Sequence, residues 1–300
     1  MTQQTFDIGL VGYGEVGKIF ARELKGRSGG RVSAWDLKFA EAATREAERA
    51  QARGDGIEDC NSAEQLCARS GLIMSAVTAS NTLGVAQEVA RQIRPGTLFL
   101  DLNSASPGTK AQCAELIEAA GGHYVEAGVM TSVPPYGIRV PMLLGGAKAA
   151  ELAAQLEAWG MDATVVAEEV GVASAIKMCR SVMIKGLEAL VIESYTTARA
   201  YGVEERMIPT LYETFPGMDW HKLGAYFFSR VAQHGKRRAE EMRESANTVA
   251  EAGFTPFMTA AIADKHDWVA RQSGAGVFAG IAKDATWQDY ADRLLAARQS

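Results

Sequence analysis

The sequence predicts an α/β protein in two parts: a doubly wound parallel sheet, then an all-α region joined to it by a long helix. Three observations carry this expectation. Short apolar runs alternate with helical stretches up to about residue 165, which is the pattern of a parallel sheet covered on both faces. A glycine-rich turn falls between the first strand and the first helix. Beyond residue 165 no convincing strand remains, and residues 169–201 run without proline in a stretch rich in Ala, Met and Leu.

Taken in order, Phe6 to Val11 is the first strand and Lys18 to Leu24 the first helix. Arg31 to Trp35, Leu72 to Val77 and Thr97 to Leu102 are further strands, with shorter candidates at His123 to Ala127 and Pro141 to Gly145. Helices are expected at Ala40 to Arg53, Leu83 to Gln92 and Thr109 to Ala119. A second long helix runs from about Lys222 to Ala252, punctuated by Gly253 and Pro256. A shorter helix follows to about Gln272, and Trp287 to Arg298 is the last amphipathic one. The expected division is residues 1–168 and 169–300, at the start of or inside the long helix.

Composition narrows the function. Hydrophobic residues make up 47% and charged residues 22%, the balance of a folded globular chain rather than a disordered one. Lys and Arg number 31 against 36 Asp and Glu, and a mildly acidic chain without a long basic run is poorly suited to a phosphate backbone. No nucleic acid or membrane partner is expected, since no apolar run approaches the ~20 residues of a membrane span. Met1 to Asp7 carries no basic region followed by an apolar stretch, so no signal peptide is expected there. The four cysteines, Cys60, Cys67, Cys113 and Cys179, contain no C-x-x-C pair and read as reduced thiols of a cytoplasmic protein. The four histidines are scattered, and no spacing asks for a metal.

Gly12, Gly14 and Gly17 form G-Y-G-E-V-G, directly after the strand and before K-I-F-A-R-E-L. In a dinucleotide-binding turn the first glycine permits the tight bend. The second lets the backbone approach a pyrophosphate, and the third lets the helix pack against the strand. The helix start then offers free N–H groups and the positive end of its dipole to the phosphates. Asp36 ends the second strand about 20 residues further on, where an acid accepts hydrogen bonds from the adenosine ribose. A carboxylate there repels a 2′-phosphate and favours NAD, while Lys38, two residues on, leaves NADP open. The first part is therefore expected to be a Rossmann-like dinucleotide-binding domain.

Four segments resemble the β-hydroxyacid dehydrogenase superfamily, which includes 3-hydroxyisobutyrate and 6-phosphogluconate dehydrogenases. They are the glycine turn, D-L-N-S-A-S-P at 101–107, E-A-G-V-M-T-S at 126–132 and G-V-A-S-A-I-K-M-C-R-S at 171–181. The wording is similar to a 6-phosphogluconate dehydrogenase-like subgroup with a C-terminal domain of unknown function. Two departures stand out. The S-G-G that holds the substrate carboxylate in that family is here Met130, Thr131 and Ser132, and the Asn four residues after the lysine is Ser181, preceded by Arg180.

The resemblance implies an NAD(P)-dependent oxidoreductase acting on a hydroxyl/carbonyl pair, with Lys177 as general acid/base. It implies substrate contacts at Asn103, Ser104, Thr131, Ser132, Arg180, Ser181 and Lys236, the last standing where the family has a second lysine. Cofactor contacts are expected at Gly12, Tyr13, Gly14, Glu15, Val16, Gly17, Asp36, Val77, Thr78 and Asn103. A homodimer through the helical region is also implied. Other readings are imine reduction, oxidative decarboxylation of a sugar acid held by cations such as Arg139, Arg180 and Lys236, and a dinucleotide sensor without turnover.

By helical spacing Lys177, Arg180, Ser181, Lys185 and Glu188 share one face, expected to be polar and to line a ligand cleft. Ile176, Cys179, Val182, Met183, Leu187 and Leu190 share the opposite face, expected to be buried. The aromatic cluster Trp220, Tyr226, Phe227 and Phe228 is expected to be core or subunit interface rather than pocket.

Overall fold

The structure, a computed structural model, describes residues 6–298; the first five residues, part of the segment on which the absence of a signal peptide was read, lie outside them. Among the described residues eight strands form one sheet: β1 (Phe6–Val11), β2 (Gly29–Trp35), β3 (Glu58–Asp59), β4 (Leu72–Ser75), β5 (Leu98–Asp101), β6 (His123–Val129), β7 (Met142–Gly145) and β8 (Ala163–Ala167). The helices among them are α1 (Glu15–Leu24), α2 (Arg45–Gly54), α3 (Ala63–Arg69), α4 (Thr82–Ala90), α5 (Pro107–Ala119) and α6 (Ala149–Ala158). The strand order is β3-β2-β1-β4-β5-β6-β7-β8, and every neighbouring pair is parallel except β6 and β7. The chain leaves β1 towards β2 and β3, then crosses back to β4 on the other side of β1. That reversal creates a crevice at the strand C-termini, where ligands of open α/β sheets sit.

Every residue of β4 (LIMS) and β5 (LFLD) is buried, because a strand covered on both faces has no solvent side to mark by alternation. Two strands have too little pattern to be read. β3 has two residues, and β8 crosses position 165, where the strand reading stopped, as an edge strand with Thr164 and Val165 exposed. The short α3 also lacks periodicity, yet Ser62 caps it, its hydroxyl accepting from the Gln65 amide at 3.2 Å.

The chain divides into two compact units, the first reaching Met178 and the second beginning at Cys179, within α7 (Val172–Tyr201). The second unit continues through α8 (Glu204–Thr214), α9 (Trp220–Glu251), α10 (Phe257–Gly274) and α11 (Trp287–Ala297). Its core gathers Tyr195, Trp220, Phe227, Phe228, Trp287 and Tyr290 around Ile192 and Val231. Three of the four clustered aromatics are thus core, and Tyr226 is exposed. A Cβ at Gly235 would stand 2.8 Å from the His266 carbonyl oxygen, so glycine there lets α9 and α10 approach closely. No helix among the described residues is long and apolar enough to cross a membrane.

The α7 faces depart in part from the sequence expectation: Arg180 is exposed and Lys177 half-buried on the expected polar face, and Val182 and Leu187 are half-buried on the expected apolar one, Leu187 against the core of the second unit. Ile176, Cys179, Met183 and Leu190 are exposed, Met183 at 66% and Leu190 at 55%, whereas Ser181, Lys185 and Glu188 are buried. The polar face packs inward because it meets complementary charge. Arg238 on α9 donates to both Glu188 oxygens, from Nε at 2.7 Å and also from Nη2. Lys185 pairs with Glu241 at 2.7 Å and donates to the Ser181 hydroxyl at 3.3 Å. Arg238 is therefore buried as the counter-ion of Glu188. A buried charge requires a partner, a condition that periodicity does not express.

Candidate active site

The glycine turn has the geometry its sequence asks for. Gly12 adopts φ +94°, and a Cβ there would lie 2.4 Å from the Ala76 carbonyl oxygen. At Gly17 a Cβ would lie 2.0 Å from the Gly12 oxygen, so α1 packs directly against the turn. A Cβ at Gly14 would meet nothing within 4 Å, and no side chain caps the α1 N-terminus. The glycine N-cap thus leaves the first turn of the helix beside open space, the arrangement that suits an anion. Glu15 is exposed in that turn and Val16 is half-buried against the core.

Asp36 closes the turn from the end of β2. One carboxylate oxygen accepts from the Tyr13 amide at 2.6 Å, and the other from the Lys38 amide at 2.9 Å. Tyr13 itself is core: its ring packs against Phe39, and its hydroxyl donates to Asp55 at 2.8 Å. Burial, then the hydrogen bond to Asp55, raises its phenol pKa beyond the usual range. Only the backbone of Tyr13 therefore faces the turn. The nearby cations lean towards α2, Lys18 to Glu48 and Gln51, each at 2.7 Å, and Lys38 to Glu48 at 3.8 Å.

The next strand ends are tied together by Asn103. Its side-chain oxygen accepts from the Val77 amide at 2.7 Å, and its Nδ2 donates to the Ser75 hydroxyl at 2.9 Å. Asn103 is buried, so its amide group braces the loops after β4 and β5 from both ends. Thr78 is exposed one residue beyond, where its hydroxyl accepts from Asn81 at 2.9 Å. Beside Asn103, Lys177 Nζ donates to the Ser104 hydroxyl at 2.7 Å, across 73 residues of sequence. The structure thus brings together Gly12, Gly14, Asp36, Val77, Asn103, Ser104 and Lys177 along the C-terminal ends of β1, β2, β4 and β5.

Thr131 and Ser132 follow β6 at the same sheet end, Thr131 exposed and Ser132 half-buried. The remaining expected substrate residues belong to the second unit. Arg180 is exposed on α7, the Ser181 hydroxyl is engaged by Lys185, and Lys236 is exposed on α9. Sequence reasoning gave no role to the acids that open two of the resembling segments and lie beneath the site. Asp101 ends β5, and Glu126 lies on β6 with no solvent exposure. Asp101 accepts from Tyr124 at 2.7 Å, and Lys110 stands 3.0 Å away as its buried counter-ion. A signal existed, since each is an acid inside an apolar strand run.

Comparison with known proteins places the chain by family and fold. The family described as the NAD binding domain of 6-phosphogluconate dehydrogenase matches residues 7–167, and the domain of unknown function DUF1932 matches residues 198–269. A conserved hypothetical protein from Sinorhizobium meliloti 1021 is 37% identical over 99% of this chain and 97% of its own, with a TM-score of 0.76. A 3-hydroxyisobutyrate dehydrogenase of Mycobacterium tuberculosis, solved with L-serine, has the same fold at 17% identity, covering 97% of this chain and 99% of its own, TM-score 0.70. An imine reductase of Streptomyces aurantiacus also shares the fold, at 17% identity over 96% of this chain and 99% of its own, TM-score 0.54. This chain belongs to the family built on the NAD-binding domain of 6-phosphogluconate dehydrogenase, with DUF1932 in its helical part.

Proposed function

We propose that this protein is an NAD-dependent oxidoreductase that interconverts a hydroxyl and a carbonyl in a β-hydroxy acid, with Lys177 as the proton-transferring group. The hydrogen bond between Lys177 and Ser104 carries the reading, because it places an amine and a hydroxyl at the switch-point end of the sheet. Gly14 and the start of α1 would hold the pyrophosphate, and Asp36 the adenosine ribose. When bound, the nicotinamide supplies or takes the hydride. Lys177 takes the hydroxyl proton in oxidation and returns it in reduction. Ser104 orients the lysine and the substrate oxygen, and Thr131 and Ser132 offer hydroxyls to the carboxylate.

The test is turnover, followed as absorbance of reduced nicotinamide, with 3-hydroxyisobutyrate, L-serine, a sugar acid and a cyclic imine in parallel. Turnover of a hydroxy acid is the expected result. Turnover of the imine alone would replace the reading with imine reduction, and nucleotide binding without any turnover would replace it with a sensor.

The NAD assignment follows from Asp36, whose carboxylate would meet a 2′-phosphate with like charge. Loss of a hydrogen bond to a charged group costs about 1.5–3 kcal/mol. Preference for NADH over NADPH in kcat/KM is therefore expected to be about tenfold or more, and Asp36→Asn, which keeps an acceptor but no charge, should erase most of it. Equal use of both nucleotides by the wild type would overturn the assignment.

The exposed apolar residues of the helical unit, Met183, Leu190, Phe254, Phe257 and Met258 among them, support a homodimer formed through that unit, since such surface is costly to leave in water. Sedimentation velocity is expected to give a single dimeric species, and Met183→Glu with Leu190→Glu a monomer. A monomeric wild type would remove the proposal.

A further inference from the structure

The short Lys177–Ser104 contact joins two segments far apart in sequence, so something must set it. Ser104 rides on the loop after β5, and Lys177 on the first two turns of α7. Beneath them Asp101 and Glu126 are register partners on β5 and β6. Each is buried, and each binds one of the two segments.

Glu126 holds the helix. Its Oε1 accepts from the Gly171 amide at 2.7 Å and the Ala173 amide at 2.9 Å, and its Oε2 from the Ser174 amide at 3.3 Å. These are amides at the start of α7, which have no partner inside the helix, and a carboxylate at that end also complements the dipole. Asp101 holds the loop. Its Oδ1 accepts from the Asn103 amide at 2.9 Å, while Lys110 donates to the Asp101 carbonyl oxygen at 3.0 Å. Gly128 completes the fit: a Cβ there would lie 3.0 Å from the Ala173 oxygen and 3.5 Å from Lys177 Cβ.

We propose that Asp101 and Glu126 are positioning residues, a pair of buried carboxylates on adjacent strands that sets the distance between the Ser104 hydroxyl and the Lys177 amine. Both acids act through backbone amides, Asp101 through that of Asn103 and Glu126 through those of Gly171, Ala173 and Ser174. One fixes where the loop ends, the other fixes where the helix begins, and the sheet register fixes the two with respect to each other. The consequence for activity rests on the function proposed above; the positional claim does not, and its test needs no substrate.

Acetic anhydride labelling followed by mass spectrometry reads the reactivity of each lysine. In Glu126→Gln the amide NH₂ faces a backbone N–H that needs an acceptor, so the start of α7 loosens and Lys177 leaves Ser104. Labelling of Lys177 is expected to rise about fivefold or more, with exposed Lys236 and Lys283 unchanged as internal references and NADH affinity within about twofold. Gly128→Ala, which pushes the helix by its added methyl, is expected to act in the same direction, and it carries the test should Glu126→Gln fail to fold. Lys177 labelling within about twofold of wild type in the folded variant would overturn the proposal. If Lys177 labelling rises but hydroxy-acid turnover is unaffected, the positional claim stands and the assigned role of the lysine falls.

Discussion

Replacing Lys177 with alanine is expected to lower turnover by about 10²–10⁴-fold, the usual worth of a positioned acid–base group, while NADH binding stays within about twofold. The separation of effects follows from where the groups sit. Nucleotide contacts are expected at Gly12, Gly14 and Asp36, while the lysine amine donates to the Ser104 hydroxyl. Oxidation of a hydroxyl releases a proton, so it should be favoured as pH rises and reduction at lower pH. Lys177→Arg keeps the charge, yet its guanidinium does not deprotonate in this range, so it should be nearly as impaired as the alanine variant. Steady-state rates at saturating NADH, with nucleotide affinity measured by fluorescence titration, decide the matter. An alanine variant with near-normal turnover would remove the mechanism.

The second large effect concerns stability. Arg238→Met is expected to cost about 3–5 kcal/mol, because it strands the Glu188 carboxylate in the interior of the helical unit. Burial already raises the Glu188 pKa, with Arg238 opposing it, so losing the guanidinium raises it further. Adding Glu188→Leu should recover most of the loss, since an apolar pair can replace a buried ion pair at little cost.

Acid sensitivity gives an independent reading of the same cluster. His266 is fully buried, 3.8 Å from Glu188, and its pKa is lowered to about 3 by burial and then by Arg238 and Lys185, against Glu241. Its unfolded value is about 6.5. Between those values the unfolded chain binds a proton that the folded chain does not. The wild type should therefore lose up to about 1.4 kcal/mol per pH unit on acidification through that window, and none of this above it. In Arg238→Met both Glu188 and His266 protonate more readily, so the deficit relative to wild type should shrink as pH falls. Urea unfolding followed by far-ultraviolet circular dichroism at pH 7 and pH 5 checks both points; a variant with an unchanged midpoint would show that the buried pair contributes little.

Much of the site was legible before any coordinates. Gly12, Gly14, Gly17 and Asp36 lie close in sequence, and each answers a local demand: a positive φ, an open approach, a close packing contact, a strand end. Such demands write themselves into residue type and spacing. The resemblance gave Ser104 and Lys177 separate roles but not their pairing, which only the structure shows, since 73 residues separate them and no local pattern links them. Asp101 and Glu126 open two of the resembling segments, yet their role was not legible because an acid inside an apolar strand gives no sign of its partner.

By itself the sequence determined the α/β order of the first unit, the helical nature of the second and the dinucleotide turn, because helix and strand periods and glycine geometry are properties of neighbouring residues. Only the tertiary structure decided which face of α7 is buried. Periodicity says that a helix has two unlike faces, and hydrophobicity alone would bury Met183 and Leu190. What buries Lys185 and Glu188 instead is complementary charge on α9, and whether a charge finds its counter-ion depends on residues some fifty positions away.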